Sequence, residues 1–409
     1  MTSFRPGLAI FCILLFTSQS VAQIQHFGNL PFRETPYADF VGIHPITKLQ
    51  ATGIKHYEIT YDEQGRPVKV AQKVGEEVIP FFKDLNIHYL KAPVTLFHYE
   101  SDKEIRHFTD DKGDTISVDE GTTYREVFIN NKMGQKEELR FENKIGDLVN
   151  NSWGIARYAW KVLRDGTVVE KRFDKDGKMV QMRPGLDFYV VHFKYRPDGF
   201  VDEMLHMGKD GKRLTNNSTN VARDNIEYTK DGDFKSWATF NADGKPVNGN
   251  SPLIHKGINY HDTYGNVIKF EHFDPDGNLM MSAYGFAATD IILDKYNFIS
   301  CYKFYDQNRE MIENRGVAYV INRHDRLGNE IESRVYSKDN ELTLLPGQGF
   351  AVVKNTFDKN HQLISSEFFD TNVLPTNRKD TGAAMVVYKY QGEERSELKY
   401  DTDRTLINQ

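Results

Sequence analysis

The stretch FKYRPDGFVDEMLHMGKDGKRL, Phe193 to Leu214, writes one short phrase twice: Pro-Asp-Gly ends at Gly199 and Lys-Asp-Gly ends at Gly211, 12 residues later. An aromatic precedes the first glycine by four positions, at Tyr195. The same offset recurs at Tyr61 and Gly65, Phe173 and Gly177, Tyr228 and Gly232, Phe240 and Gly244, and Phe273 and Gly277. The phrase is aromatic, Asp or polar, any residue, Asp, Gly. In a short hairpin loop a type I turn is followed by a left-handed residue that forms a bulge. Glycine fits there because it has no Cβ to clash. Proline favours the first central position, which Pro197 would occupy, and Asp bonds nearby amides. Each phrase therefore predicts a hairpin turn.

Equivalent slots run through the chain. One series falls at 65, 103, 134, 166, 199, 232, 265, 297, 328, 361 and 392, and its partner at 75, 113, 146, 177, 211, 244, 277, 309, 340, 373 and 404. Successive first-series turns after 103 are 31 to 33 residues apart, a period near 32. A fixed period of this size marks a stacked repeat architecture. Glycine holds most slots, and Asn297 and Asn340 tolerate the same backbone. Lys103, Arg309, His361, Val373 and Arg404 predict altered turns or a shifted register.

Between turns the chain alternates as strands do. Thr167 to Phe173 reads as a medium strand and Leu186 to Tyr195 as a longer one, apolar on both faces. A third glycine opens the long strand as Gly-x-Ala at Gly154, Gly285, Gly316, Gly349 and Gly382, which suggests close approach of backbones. No stretch keeps a helical period. The expected fold is all-β: an elongated, solenoid-like array of tandem antiparallel hairpins over residues 53–409, about eleven units, with little helix. Residues 23–52, with Pro31, Pro36 and Pro45, read as an N-terminal cap, and an insertion interrupts the repeat near 76–95. The last turn slot, 404, lies close to residue 409, so no C-terminal catalytic domain is expected.

Phrases such as YDEQGR (Tyr61 to Arg66) and FDKDGK (Phe173 to Lys178) resemble the tyrosine-aspartate repeats of bacterial RHS proteins and the MORN-variant hairpin repeats of exported bacterial proteins. The resemblance covers most of residues 53–409. It implies an all-β repeat scaffold and carries no catalytic residues across.

The first 22 residues read as a signal peptide. Arg5 starts it, Leu8 to Phe16 is its apolar run, and Ser20-Val21-Ala22 is a small-x-small cleavage site. An uncleaved anchor is the other reading. The run is too short for a membrane span, and no later segment approaches about 20 apolar residues, so no transmembrane segment is expected after cleavage. Cleavage would move the formal charge from −6 to −7 by removing one Arg. An acidic chain argues against nucleic acid and anionic membrane surfaces as partners. Cys12 lies in the leader, leaving Cys301 alone and no internal disulfide. The expected location is exported: periplasm, cell surface or medium.

No catalytic, cofactor-binding or metal-binding residue stands out. His98 and His107, and His261 and His272, flank single hairpins without metal-ligand spacing. Asp174 to Gly177 and Asp274 to Gly277 look like pieces of calcium loops but lack the further ligands. A ladder of stacked carboxylates that holds calcium is the alternative to plain turns. Cys301 sits in a strand pattern, as a buried small residue does. Sequons at Asn150, Asn216 and Asn217 matter only in a eukaryotic source. The expected function is non-catalytic binding or scaffolding at the cell envelope or outside the cell, with a protein or glycan ligand and no cofactor. The alternative is a carbohydrate-active enzyme with an acidic pair in a groove of the array.

Overall fold

The computed structural model describes residues 23–80, 91–183, 186–313, 316–391 and 394–407. The leader features at 1–22, including Arg5 and Cys12, the middle of the expected insertion at 81–90, and the turn slot at Gly392 lie outside the described residues.

Eleven hairpins follow one another, each of two antiparallel strands. They are Lys55–Tyr61 with Pro67–Val74, Val94–Tyr99 with Lys103–Thr109, Arg125–Asn130 with Lys136–Glu142, Arg157–Val162 with Val168–Phe173, Val190–Tyr195 with Val201–Met207, and Arg223–Tyr228 with Phe234–Phe240. The series continues with Lys256–His261 and Val267–Phe273, Ala288–Leu293 and Ile299–Tyr305, Tyr319–His324 and Glu330–Tyr336, Val352–Phe357 and Leu363–Phe369, and Met385–Gln391 and Glu394–Tyr400. Consecutive hairpins join through short registers such as Glu203↔Asn225, Met204↔Asp224 and Leu205↔Arg223. Among the described residues the result is one open sheet of 27 strands with a single four-residue helix, Lys48–Ala51, closed by a Thr47–Gln50 capping box. No helix among the described residues is long and apolar enough to cross a membrane.

The turns explain the repeated phrase. At Gly199 the amide donates to the Arg196 carbonyl at 3.0 Å and φ is +82°, which is a type I turn followed by a left-handed bulge residue. Arg309, His361, Val373 and Arg404 hold the same conformation, with φ of 61° to 65°. The expected alteration at these four slots is therefore overturned: the surrounding ladder holds a side-chain-bearing residue in glycine's conformation. Lys103 is different. It opens a strand, and Glu100 closes a tighter loop by donating to its carbonyl at 2.9 Å.

The aspartates also divide their work in a way the phrase hides. The Asp three positions before the glycine supports the loop: Asp174 Oδ1 accepts the amides of Asp176 (3.0 Å) and Lys178 (2.8 Å). Asp62, Asp274, Asp358 and Asp370 repeat the pattern. Where Leu163, Arg196 or Gly208 stands at that position, the Asp directly before the glycine takes over and accepts an amide two residues on, as Asp165, Asp198 and Asp210 do.

Two strand expectations need correction. The strand at 186–195 begins only at Val190, because Leu186 instead closes a bridge with Arg183. The Gly-x-Ala glycines are left-handed turn residues, and where something packs closely on them it is a side chain rather than a backbone: a Cβ would lie 2.9 Å from Pro346 at Gly316 and 2.7 Å from Lys379 at Gly349. Gly154 has φ +74°, and nothing lies within 4 Å of where its Cβ would be. The alanine is the buried member: Ala156 is fully buried, donates to Phe173 O and accepts from Phe141 N, tying two hairpins together.

The sheet curls. The amide of Lys55 in the first hairpin donates to Tyr296 O in the eighth, and Arg326 in the ninth reaches back to Glu77 and to Val74 O. One face therefore turns inward. Strand Gln23–Asn29 lines the edge of the first hairpin. Residues 30–42 then cross the inner face as a strap before strand Ile43–Ile46 returns. Phe32 packs edge-on to Phe234, Arg33 lies over Phe200, Tyr37 meets Trp160, and Phe40 meets Phe97. Hairpin side chains read the strap's carbonyls: Tyr228 Oη donates to Phe32 O, and Lys136 Nζ to Tyr37 O.

The largest core lies under the strap and includes Phe128, Tyr158, Trp160, Phe193, Met204 and Ile226. Each such side chain stabilises by about 1.5–3 kcal/mol on burial. Beyond the strap the same inner position turns polar. Trp160, Phe193 and Ile226 give way to Asn259, Asn322 and Asn355 in the seventh, ninth and tenth hairpins, while the eighth keeps a buried Ile291. Asn259 and Asn355 donate to Phe234 O and Glu330 O of the preceding hairpin.

Candidate functional site

A cleft of about 240 Å³ opens beside the strap, between the second, third and fourth hairpins. Buried Pro36 of the strap, Leu139 and Phe141 line its base. Lys91 stands in its wall with Nζ 3.0 Å from Asp119 Oδ2 and 3.0 Å from Glu126 Oε1, and 4.8 Å above the Phe141 ring. Burial disfavours the Lys91 cation, but Glu126 and Asp119 outweigh it and hold the ammonium above its ordinary range.

Local structure places each group. Asp119, Glu120 and Gly121 are successive left-handed residues (φ 53°, 61° and 87°), pinned by the bridge between Val118 and Thr123. Two non-glycine residues held there mark a strained corner that its surroundings enforce. Glu126 projects from the inner face, where Arg106 Nη1 lies 3.6 Å from its other oxygen. Arg106 is itself buried, paired with Glu104 at 2.7 Å and set over the Phe128 ring. Asn151 Oδ1 accepts the amides of Trp153 (2.9 Å) and Ile155 (3.0 Å), fixing the turn that carries Trp153 to the rim. Tyr158 closes the far side, its hydroxyl pushed up by burial.

Both carboxylates of this cleft bind one ammonium.

The residues weighed from sequence lie elsewhere. Cys301 is buried in strand Ile299–Tyr305 against Ala318 and Tyr319, and burial pushes its thiol up, away from nucleophilic thiolate. His98 pairs with Ile105 and His107 with Leu96; His261 pairs with Val267 and His272 with Gly257. Among the described residues no three His, Cys, Asp or Glu side chains gather to hold a metal. Lys91, Asp119, Glu126 and Trp153 carry no motif. The available signals were Gly121, which stands 33 residues before Gly154 and so extends the third-glycine series without its alanine, and a tryptophan directly before a Gly-x-Ala glycine.

No family model matches the chain, and no curated protein does. Among solved structures it is similar to a Photorhabdus luminescens Tc holotoxin pore (12% identity, TM-score 0.26, 86% of this chain and 18% of that chain). It is also similar to the TcdB2-TccC3 structure (10% identity, TM-score 0.26, 91% and 21%) and to a porin-like protein from Bacteroides uniformis (9% identity, TM-score 0.17, 84% and 87%). The chain spans about a fifth of the length of the Tc toxin chains it matches.

Proposed function

We propose that the protein is an exported, non-catalytic binding module whose ligand cleft lies beside the strap, between Lys91 and Trp153. The observation that carries this reading is the locking of Asp119 and Glu126 onto Lys91, which leaves a shaped, polar and aromatic cleft without a free acid–base pair. Convergent polar groups in a partly apolar concavity are a common signature of a binding site. The leader-like start of the chain supports export. The turn phrase itself supports kinship with the tyrosine-aspartate repeats.

The test incubates the purified protein with bacterial cell-envelope material and follows two readouts, retention in the pellet and release of reducing sugar. Retention that Trp153→Ala abolishes, without release, is the expected result. Release of sugar that depends on Glu126 would instead establish the carbohydrate-active enzyme. Absence of both would remove the cleft's role in binding.

A further inference from the structure

We infer that the cleft takes the cationic side chain of a protein partner, a lysine or arginine head carried on its apolar stem; this rests on the binding reading above. The charges come first. Those that line the cleft are one ammonium, Lys91, and two carboxylates, Asp119 and Glu126. They are the outer part of an alternating chain. Glu104 meets Arg106 at 2.7 Å, Arg106 meets Glu126 at 3.6 Å, and Glu126 and Asp119 each meet Lys91 at 3.0 Å. The neighbouring cation, Lys136, has its own partner in Asp39 at 3.2 Å. The chain begins and ends on a carboxylate, so it is one cation short, and its outer end is Asp119 in the cleft wall. Opposite charges attract across such distances, and a positive head completes the alternation.

Asp119 keeps one oxygen to offer. Its Oδ2 accepts from Lys91, and among the described residues nothing donates to its Oδ1. The Thr122 hydroxyl, 2.9 Å from Asp119 O and 3.1 Å from Asn150 O, ties the left-handed corner to the next link and so holds the carboxylate in place. A second group points to the same ligand independently. Tyr158 is only 2% exposed and lines the cleft, yet its hydroxyl has no hydrogen-bond partner among the described residues. Burial first, and then the charges of Glu170, Glu126 and Asp119, keep that hydroxyl protonated. Its lone pairs remain for a donor. A head that carries donors and no acceptor, ammonium or guanidinium, matches both Asp119 Oδ1 and Tyr158 Oη. Lys91 is the precedent: burial disfavours its cation, and Glu126 and Asp119 hold it charged all the same.

The rest of the lining suits the stem. Buried Pro36, Leu139 and Phe141 make an apolar base. Lysine and arginine lay their methylenes along such surfaces while the head meets polar groups. The volume, about 240 Å³, falls below the roughly 300–1,000 Å³ of drug-sized sites and accommodates one side chain. A cleft closed below admits the tip of a side chain and leaves the backbone that carries it outside, so the head is presented by a larger surface.

The test titrates four end-blocked tripeptides, Gly-Lys-Gly, Gly-Arg-Gly, Gly-norleucine-Gly and Gly-Glu-Gly, by calorimetry at low and high salt. Norleucine keeps the stem and loses the charge. The lysine or arginine peptide is expected to saturate and the other two are not, and the affinity should fall as salt rises. Asp119→Asn removes the charge but leaves a residue that tolerates the left-handed corner; it should weaken binding more than about tenfold. Tyr158→Phe keeps the ring in the core and should weaken binding about fivefold, which covers the case in which Asp119→Asn fails to fold. Lys91→Met should tighten binding, because it removes the cation that competes for the same carboxylates. Retention on envelope material should be competed by the cationic peptide and lost when the material is digested with protease. Norleucine or glutamate bound as tightly as lysine overturns the charge assignment. Retention that survives digestion overturns the protein source. Trp153-dependent retention with no peptide bound overturns the cationic side chain but leaves the binding reading standing. Loss of that retention as well removes both.

Discussion

The amide of Lys55 donates to the carbonyl of Tyr296 at 2.8 Å, joining the first hairpin to the turn of the eighth. That bond shows how far the sheet bends before it meets itself. It also explains why residues 30–42 can touch so many hairpins at once: a curled sheet presents all its inner faces to one crossing strap. Twist accumulates from strand to strand with one hand, so a long meander must coil.

The strap is held by a buried ionic knot. Glu170 accepts from Thr35 Oγ1, from Trp160 Nε1 at 2.8 Å and from Arg172 Nε at 2.9 Å, and Arg172 is fully buried. Glu170→Ala should destabilise by about 3–5 kcal/mol, because it strands a buried guanidinium. Glu170→Gln, which keeps an acceptor, should cost less. Urea unfolding followed by tryptophan fluorescence measures both; equal losses would show that charge at this site is irrelevant.

Left-handed slots give opposite predictions according to who sits there. Gly199 has φ +82°, and Gly199→Val should cost about 1–3 kcal/mol. Val373 already holds φ +61° with a branched side chain. Val373→Gly should therefore stabilise by about 1 kcal/mol through relief of that strain. Hydrogen exchange should localise each effect to its own hairpin and immediate neighbours, as in any array whose units touch mainly their neighbours.

Asp174 and Asp176 stand in the same turn and should differ. Asp174 accepts two amides, so Asp174→Ala should cost about 1 kcal/mol, whereas exposed Asp176 has no comparable bond and Asp176→Ala should be near neutral. These bonds also bear on calcium. One oxygen of each such carboxylate already serves its own loop. We expect the melting temperature to be the same in excess Ca²⁺ and in chelator; a rise with Ca²⁺ would reveal a carboxylate ladder that binds the ion.

Glu271 supplies a pH signature. Burial opposes its ionisation, yet hydrogen bonds from Lys269, Tyr260 and Arg309 win and hold its carboxyl down at about 2, against an ordinary 4.5. A carboxyl depressed in the folded state contributes stability above its unfolded value, and the contribution is lost as pH falls through the folded value. Stability should therefore decline between about pH 4.5 and 2. Glu271→Gln should flatten that part of the profile, and identical acid melts for the two proteins would refute the assignment.

Sequence alone determined the period, the two turn series and the all-β class. These depend on local chemistry: a left-handed bulge needs glycine or a residue forced into its place, and strand faces alternate every second residue. It also marked the places where glycine is replaced, though not that Arg309, His361, Val373 and Arg404 keep its conformation, because the neighbouring ladder enforces it. Tertiary structure decided the curl, the path of the strap and the cleft. Pro36 reaches the cleft from before the repeat, Lys91 from the insertion, Asp119 and Trp153 from the links after the second and third hairpins, and Glu126 from the third hairpin itself. Gly121 and Gly154 stand one period apart, but nothing in the spacing brings Pro36 or Lys91 to them. They meet because neighbouring hairpins pair side by side and the curl of the sheet lays the strap across their inner face, and neither the pairing nor the curl belongs to a single repeat.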